Sequence, residues 1–350
     1  MPALIYPVLL LGLLLGAGPA GGWWMVAFNL VLVPLADTAI RHHWPRWQVS
    51  PRVLRALFAR PWFWCYAVAQ SAVLVYALQR VSTAALTPLA FMGLVSGVGL
   101  MTGTAGITAA HELIHRRDRS DRTLGLGLLA MVSYLHFRIE HVYGHHRHVA
   151  TGHDPASADI AETFPAFFMR ALHRGIRSAW QIEAAQRRRR GLQVLSLRNR
   201  MVQYLGIQSL LYALILVQFG WLALALFLLQ SLMAMHLLEA VNYVQHYGLR
   251  RGAGERIEEC HAWDSDDPIS GLLVFNLNRH AQHHRDPMRS AAELGVAERA
   301  PRLPYSFFLM VFLALLPPVW NRLMQPRLAT AGRIDSATQK VAPRAGAIHA

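Results

Sequence analysis

Histidine is concentrated in four short stretches of this 350-residue chain, and half of its 18 histidines lie there. The stretches read "HELIHRR", "EHVYGHH", "NYVQHYGL" and "NRHAQHH". Their histidines are His111, His115, His141, His145, His146, His246, His280, His283 and His284. Imidazole is the commonest side-chain ligand of metal ions, and clusters of this density therefore indicate a metal site.

The spacing of these histidines indicates two metal ions. His111 and His115 are four residues apart, so on a helix they lie on one face and can chelate one ion. Adjacent histidines on a helix point about 100° apart, and each pair can therefore serve two neighbouring ions. Nine imidazoles exceed the roughly six ligands of one first-row ion. Imidazole suits zinc, copper, iron and nickel, so the ligand type alone does not choose the metal.

Four carboxylates stand beside these histidines and are candidates to orient them: Glu112, Glu140, Glu239 and Asp286. Metal-bound histidines commonly donate their second ring N–H to such groups. Each could equally be a solvated surface charge, and Glu140, directly before His141, is the best placed. Eight of the other nine histidines are interpreted as bystanders: His42, His43, His136, His148, His153, His173, His236 and His349.

The elements that carry these motifs are long apolar helices. The chain is 54% hydrophobic and only 15% charged, whereas soluble domains carry about 25% charged residues. Residues 81–110 and 201–238 contain no charged side chain, and about 20 apolar helical residues cross a bilayer. We therefore predict an all-α integral membrane protein. Its six predicted spans are 3–20, 23–40, 62–79, 84–108, 202–217 and 220–241.

Several segments are predicted to lie outside the spans. The apolar stretches 123–137 and 303–316 are short for a span, so we expect helices packed against the bundle or lying in the interface. Residues 3–20 end in small residues like a signal peptide, but they lack its basic start. We predict one domain over residues 1–328 and a disordered tail over 329–350, which is small and polar.

The distribution of arginine predicts the orientation in the membrane. The short loops at one end of the bundle contain one basic residue, Arg80. The loops at the histidine end contain Arg41, Arg46, Arg52, Arg55, Arg60, Arg116, Arg117, Arg119 and Arg122. The positive-inside rule then places the histidines and both termini in the cytoplasm. This topology accounts for part of the net charge of +14, and no nucleic-acid partner is needed to explain that charge.

Residues 104–328 resemble the membrane alkane monooxygenases, a branch of the integral-membrane di-iron desaturases and hydroxylases. The resemblance lies in "HELIHRR", "EHVYGHHRHVAT", "DPASA", "SAWQIE", "NYVQHYGL", "LLVFNLNRHAQHHRDP" and "APRLP". It implies that all nine histidines above bind two iron ions on the cytoplasmic face. The chain departs from the family pattern at Gln245, where Glu is usual, and at Gly152-His153, where Pro-Glu is usual. Neither departure removes a ligand, but both weaken the assignment of a plain n-alkane as the substrate.

The resemblance also implies a reaction and its partners. A di-iron centre reduced by two electrons would activate O2, insert one oxygen atom into a terminal C–H bond of a hydrocarbon and release water. The sequence contains no flavin or iron–sulfur motif, so electrons are expected from rubredoxin and its NAD(P)H-dependent reductase. Arg187 to Arg190 form a candidate docking site for an acidic rubredoxin. A solvated helix end, or contact with anionic membrane lipid, explains these arginines equally well.

Three other functions stay open at this point. Within the superfamily these are a xylene-type monooxygenase of aromatic methyl groups and a fatty-acyl desaturase. From another class comes a metal transporter, which would place polar ligands near the bilayer midplane. The predicted spans are almost free of ionisable groups, which disfavours transport. For the hydroxylase, the expected location is the bacterial inner membrane.

Overall fold

The computed structural model describes residues 2–44, 47–252 and 254–341, and every regular element within these ranges is a helix. An isolated bridge between Asp264 and Arg302 is the extent of β-pairing among them. The prediction of an all-α fold is confirmed. Arg46, His349 and the end of the predicted tail, 342–350, lie outside the described residues.

The helices follow one another with short connections. In chain order they are α1 (Pro2–Ala17), α2 (Pro19–His43), α3 (Pro51–Leu57), α4 (Arg60–Thr83), α5 (Pro88–His115), α6 (Arg119–Ala130), α7 (137–148), α8 (Phe164–Arg189), α9 (Arg200–Phe219), α10 (Trp221–His246), α11 (Pro268–Leu273), α12 (His280–Arg285), α13 (Phe307–Leu313) and α14 (Pro317–Val341). The tail that we predicted to begin at residue 329 overlaps the end of α14.

Within the described ranges, five helices are long and apolar enough to cross a membrane, namely α2, α4, α5, α9 and α10. The sequence predicted six spans. The first predicted span, 3–20, is interrupted at Gly18, whose φ of 70° ends α1 after Ala17. A helix from residue 2 to 17 rises only about 24 Å, which is short of a hydrocarbon core of about 30 Å. The structure thus supports five candidate spans and one shorter apolar helix.

Helix α5 forms the centre of the bundle. In the most apolar 18-residue stretch of α5, 78% of the residues are buried. The corresponding share in α9 is 11%, so the side chains of α9 largely face outward. Helix α2 crosses α5 in backbone contact, since a Cβ atom on Gly22 would lie 1.9 Å from the carbonyl oxygen of Gly93. Small residues allow such close approach of apolar helices. Helix α10 packs along α5 at Gly103, so the ends of both helices lie side by side.

The two short apolar stretches form helices that pack against this bundle. Asp118 caps the start of α6 by accepting hydrogen bonds from the backbone N–H groups of Ser120 and Asp121, and α6 then packs against the end of α5. Helix α13 packs against α10, with Phe307 and Met310 buried. Neither helix is long enough to be a candidate span, as the sequence predicted.

Candidate metal centre

The nine predicted histidines form two adjoining groups, and in each the candidate ligand atoms lie within 4.8 Å of one another. The five-histidine group contains His111, His115, His141, His146 and His283. The four-histidine group contains His145, His246, His280 and His284. Among the described residues, no histidine that we interpreted as a bystander belongs to either group. The structure therefore brings together all nine residues that the sequence singled out.

Each group is assembled from one membrane-spanning helix and two short helices. Helix α5 contributes to the five-histidine group, and α10 contributes His246 to the four-histidine group. Helices α7 and α12 serve both, because His145 and His146 belong to different groups, as do His283 and His284. This division follows from the angle of about 100° between adjacent side chains on a helix. Residues His141–His145 are π-helical, a local geometry that is frequent at functional sites.

The turn that leads into α12 has an unusual backbone. Phe275 and Asn276 both adopt left-handed conformations, with φ of 53° and 56°. A bulky residue in this region costs on the order of 1–3 kcal/mol. Packing offsets that cost, since the ring of Phe275 stacks on Phe63 with centroids 5.0 Å apart. Asn276 donates a hydrogen bond to the carbonyl oxygen of Ala291 at 2.8 Å. These contacts fix the direction from which α12 presents its three histidines.

The ring nitrogens of the histidines converge as ligands around an ion would. The Nε2–Nε2 distances are 3.1 Å for His115–His141, 3.0 Å for His141–His146, 3.1 Å for His146–His283, 3.1 Å for His246–His280, 2.9 Å for His280–His284 and 3.2 Å for His145–His284. With metal–nitrogen bonds of about 2.1 Å, ligands 90° apart lie about 3.0 Å from each other. The buried Nε2 of His111 has no hydrogen-bond partner among the described residues. The donor sets fit one metal ion in each group.

Burial keeps most of these imidazoles neutral. Seven of the nine are buried, and only His115 and His146 are partly exposed. Burial first, and neighbouring histidines second, lower the pKa of His141, His283 and His284 well below the ordinary value. The same causes act on His146 and His280. Metal binding requires neutral imidazole, so the site is arranged for a metal ion even at mildly acidic pH.

Asp154 is the carboxylate that orients a candidate ligand. Its oxygens lie 2.9 and 3.1 Å from Nδ1 of His145, and it also accepts hydrogen bonds from the Ser157 hydroxyl and the Ala156 N–H. Burial is the largest influence on the pKa of His145 and lowers it, but the charge and the hydrogen bond of Asp154, together with nearby Glu140 and Glu239, raise this pKa above the ordinary value. Since a carboxylate only accepts, Nδ1 carries the proton and Nε2 is left for a metal.

Sequence reasoning did not identify Asp154 as an orienting residue. It follows His145 by nine residues, in a connection where spacing carries no geometric information. The available signal was the motif "DPASA", which begins at Asp154 and which we used only as part of the family resemblance.

The carboxylates that we predicted to orient the ligands have other partners. Glu112 accepts from the guanidinium of Arg116 at 3.1 Å and from the N–H of Ala291. Asp286 is exposed and lies 3.6 Å from Arg289. Among the described residues, neither hydrogen-bonds to any of the nine histidines, because a nearby arginine attracts each carboxylate.

Glu140 and Glu239 lie closer to the histidines. Glu140 lines a small buried pocket together with His141 and His145, and Glu239 lines its other side. Burial first, and the charge of Asp154 second, raise the pKa of Glu140 above its usual range. Glu239 accepts a hydrogen bond from the hydroxyl of Tyr134 at 2.7 Å. These carboxyl groups lie beside the four-histidine group without a hydrogen bond to its rings in the described part of the chain.

Gln245, where the family usually has Glu, serves the packing of the site. It is buried, and its Nε2 donates a hydrogen bond to the carbonyl oxygen of Leu277 at 2.8 Å. A carboxylate could not donate this bond. Gln245 thereby ties α10 to the segment that precedes α12. The other departure from the family pattern, Gly152-His153, is exposed.

An apolar cavity lies within the bundle. Its lining includes Thr108, Leu238, Val241, Leu277, Phe308 and Val311. Thr108 and Leu277 each stand three residues before a candidate ligand, His111 and His280 respectively. The lining therefore includes residues within three positions of a candidate ligand of each group.

Fold and site together define an all-helical membrane protein with two adjoining histidine groups that could each hold a metal ion. Residues 85–320 match the model of the family described as fatty acid desaturase. The chain belongs to this family, as the resemblance in its histidine motifs predicted.

The chain is also similar to curated relatives of known name. It is 38% identical over 242 residues to alkane 1-monooxygenase 2 of Pseudomonas aeruginosa, covering 68% of this chain and 64% of that protein. It is 32% identical over 314 residues to alkane 1-monooxygenase 2 of Alcanivorax borkumensis, covering 87% and 82%. A xylene/toluene monooxygenase hydroxylase component of Pseudomonas putida is 30% identical over 258 residues, covering 73% and 69%. The match spans less than two thirds of the Pseudomonas aeruginosa protein.

Proposed function

We propose that this protein is an oxidoreductase that hydroxylates the terminal carbon of a hydrocarbon with O2, converting an alkane to a primary alcohol. The observation that carries the proposal is the pair of histidine groups whose nitrogens are spaced as ligands, in a bundle that also contains an apolar cavity lined by Thr108 and Leu277. The relatives named alkane 1-monooxygenase support the reaction. The balanced reaction consumes hydrocarbon, O2, two electrons and two protons and yields the alcohol and water.

We propose that each histidine group binds one iron ion. Two reduced iron ions would supply the capacity to activate O2. The chain contributes neutral imidazoles that are already converged, a carboxylate that fixes the tautomer of His145, and an apolar cavity. The cavity lining, such as Leu238 and Val311, can hold a hydrocarbon and keep water away from the reacting carbon. The histidines and the cavity thus have separate tasks, metal binding and substrate placement.

Rubredoxin and its reductase are the proposed electron donors, on the basis of the family resemblance. The predicted docking site at Arg187 to Arg190 presents fewer arginines to a partner than the sequence suggested, because one of the four is buried. Arg187 is buried, and its guanidinium donates to the carbonyl oxygens of Gln193 at 2.7 Å and Arg198 at 2.8 Å. Arg187 therefore closes the turn after α8, and we interpret the three exposed arginines that follow it as a solvated helix end rather than as part of the docking site.

The proposed location is the bacterial inner membrane, with the histidine groups on the cytoplasmic side. Support comes from the arginines at that end of the bundle, which include the exposed Arg117 and Arg119. Reaction of a membrane-impermeant label with a cysteine introduced at residue 117, after Cys65 and Cys260 are replaced by serine, tests this orientation. Labelling in inside-out vesicles and protection in intact cells is the expected result, and the reverse pattern would overturn it.

Product analysis tests the proposed reaction. Cells that express the protein together with rubredoxin and its reductase are fed octane, dodecane, p-xylene or a fatty acid, and the products are separated by gas chromatography. We expect primary alcohols from the alkanes, with oxygen-18 incorporated from labelled O2. An unsaturated acyl product without any alcohol would overturn the hydroxylase assignment in favour of a desaturase.

A second candidate substrate is an aromatic methyl group. The similarity to the xylene/toluene monooxygenase component favours it, since that match covers 73% of this chain. In the same experiment, a benzylic alcohol from p-xylene with no alcohol from octane or dodecane would establish this candidate instead.

A further inference from the structure

We propose that the recess formed by His115, Arg117, Met288, Arg289 and Ser290 is the docking surface for an acidic one-electron carrier protein. The carrier would pass electrons one at a time through the exposed edge of His115 to the five-histidine group, the carrier being oxidised and the metal site reduced. This inference rests on the function proposed above and specifies where its electron partner binds.

The first support is the exposure of the candidate ligands. His115 and His146 in the five-histidine group are partly exposed, whereas all members of the four-histidine group are buried. The recess is small, with seven residues in its lining, and His115 is one of them. A protein partner that fills this recess comes into contact with a metal-ligating ring. The four-histidine group offers no such contact among the described residues.

The second support is the composition of the surface around His115. Met288 is 53% exposed although it is a large apolar residue. Arg117 and Arg289 are exposed beside it. Methionine and arginine are enriched at protein interfaces, whose apolar centre is ringed by polar residues. Encounters between electron-transfer proteins are small and transient, so a recess of this size with few anchors suits them.

The third support is charge. Glu112 within the recess is paired with Arg116 at 3.1 Å, and Asp286 at its edge lies 3.6 Å from Arg289. Arg117 has no carboxylate partner among the described residues, which leaves the recess with net positive charge. An acidic partner would be steered towards such a surface, and like-charged partners would be repelled. This charge complementarity indicates that the partner of the recess is an acidic protein.

The exposed arginines at the end of α8 provide a matched control. Arg188 and Arg190 are exposed cations, as Arg117 and Arg289 are, but they do not line the recess at His115. If net positive charge alone recruited the carrier, both arginine pairs would matter equally. If the recess is the docking surface, only the pair beside His115 matters.

Charge reversal tests the proposal in the purified, metal-loaded enzyme. The double variant Arg117→Glu/Arg289→Glu and the control Arg188→Glu/Arg190→Glu are assayed for hydroxylation with reduced rubredoxin as the protein donor. Photoreduced lumiflavin, a small-molecule donor that needs no protein docking surface, serves in parallel. With rubredoxin we expect the KM for the carrier to rise at least about tenfold in the first variant and to stay unchanged in the control. With lumiflavin both variants should match the wild type.

Salt and charge-preserving substitutions complete the test. The wild-type rate with subsaturating rubredoxin should fall as salt rises, because screening shortens the range of steering to about 8 Å at 0.15 M. Arg117→Lys/Arg289→Lys should retain most of the wild-type KM. A wild-type KM in the Arg117→Glu/Arg289→Glu variant, or an equal rise in the control pair, would overturn the docking surface. Absence of hydroxylation by the wild type with either donor would instead overturn the proposed function.

Discussion

The two histidine groups differ in exposure and in the residues around them. The five-histidine group has two partly exposed rings and, among the described residues, no carboxylate hydrogen-bonded to a ring. The four-histidine group is buried throughout, and Asp154 holds His145 by its Nδ1. This difference indicates that the two histidine groups have different roles. The open group can meet an electron carrier, while the closed group stays dry beside the apolar cavity.

Removing a ligand of the closed group should have the largest effect. In His246→Ala, α10 no longer contributes to the four-histidine group, whose remaining members are His145, His280 and His284. We expect one of two bound iron ions to be lost and hydroxylation to be abolished, because both ions are required. Elemental analysis and the turnover assay measure this.

His173→Ala and His236→Ala are the controls for that prediction, since neither belongs to a histidine group. Both should retain iron and activity. Full iron content with normal turnover in His246→Ala would show that the closed group does not need this ring, and it would leave eight ligands.

Loss of the carboxylate that orients His145 should have a smaller effect, also confined to the closed group. In Asp154→Asn the amide can present its NH2 to Nδ1, which favours the wrong tautomer of His145. Loss of the group that hydrogen-bonds a metal-binding histidine typically costs about 10–100-fold in metal affinity or activity. Titration with an iron chelator should therefore remove one ion from the variant at a lower chelator concentration than from the wild type.

Asp286→Asn is the matched control for Asp154→Asn, because Asp286 is exposed and contacts Arg289 rather than a histidine. Its two ions should resist the chelator as in the wild type. Equal sensitivity of both variants would show that the hydrogen bond to His145 is not what holds the second ion.

The cavity should set which hydrocarbons react. Leu238 is buried in its lining, and Leu238→Phe would reduce the space beside the histidines. A methylene more or less in an apolar pocket changes specificity by about 10–200-fold. We expect the ratio of kcat/KM for dodecane to that for octane to fall about tenfold.

Leu228→Phe, on the outward face of the same helix, should leave the ratio unchanged. An unchanged ratio in Leu238→Phe would exclude this cavity as the substrate site.

Acid should destabilise the metal-free protein modestly, through the open group. Burial lowers the pKa of His141, His146 and His283 in the folded state, so the unfolded chain takes up protons that the folded chain does not. Their stabilising contribution is present above the ordinary histidine pKa of about 6.5 and is lost as pH falls below it. Thermal unfolding in detergent should show a lower Tm at pH 5.5 than at pH 7.5.

His283→Gln should reduce that pH dependence, because one of the buried imidazoles is then absent. His145 acts in the opposite direction, since Asp154 raises its pKa. A Tm that rises on acidification would show that the buried histidines of the open group do not dominate the balance.

Much of the metal centre could be predicted from sequence because its geometry is local. The separation between His111 and His115, and the adjacency of His145 and His146, fix side-chain directions on a helix. The hydrogen bond from His145 to Asp154 could not be predicted, because it depends on the path of the intervening loop. That path includes Ala150 in a left-handed conformation, with φ of 61°.

The predicted spans overlap the observed helices, but some of the helices extend beyond the predicted ends of the spans. We expected spans to end at residues 108 and 241, yet α5 continues to His115 and α10 to His246. Hydrophobicity marks the part of a helix that lies in an apolar environment, and it carries no information on where the helix itself ends. The candidate ligands therefore stand on the last turns of the membrane-spanning helices rather than on the loops after them.

The central claim is that each histidine group binds its own iron ion. Anomalous X-ray diffraction at the iron absorption edge, on crystals of the purified protein, tests this claim most directly. We predict two anomalous peaks per chain, one among His111, His115, His141, His146 and His283 and the other among His145, His246, His280 and His284. A single peak shared by the nine rings, or an iron position outside both groups, would contradict the account.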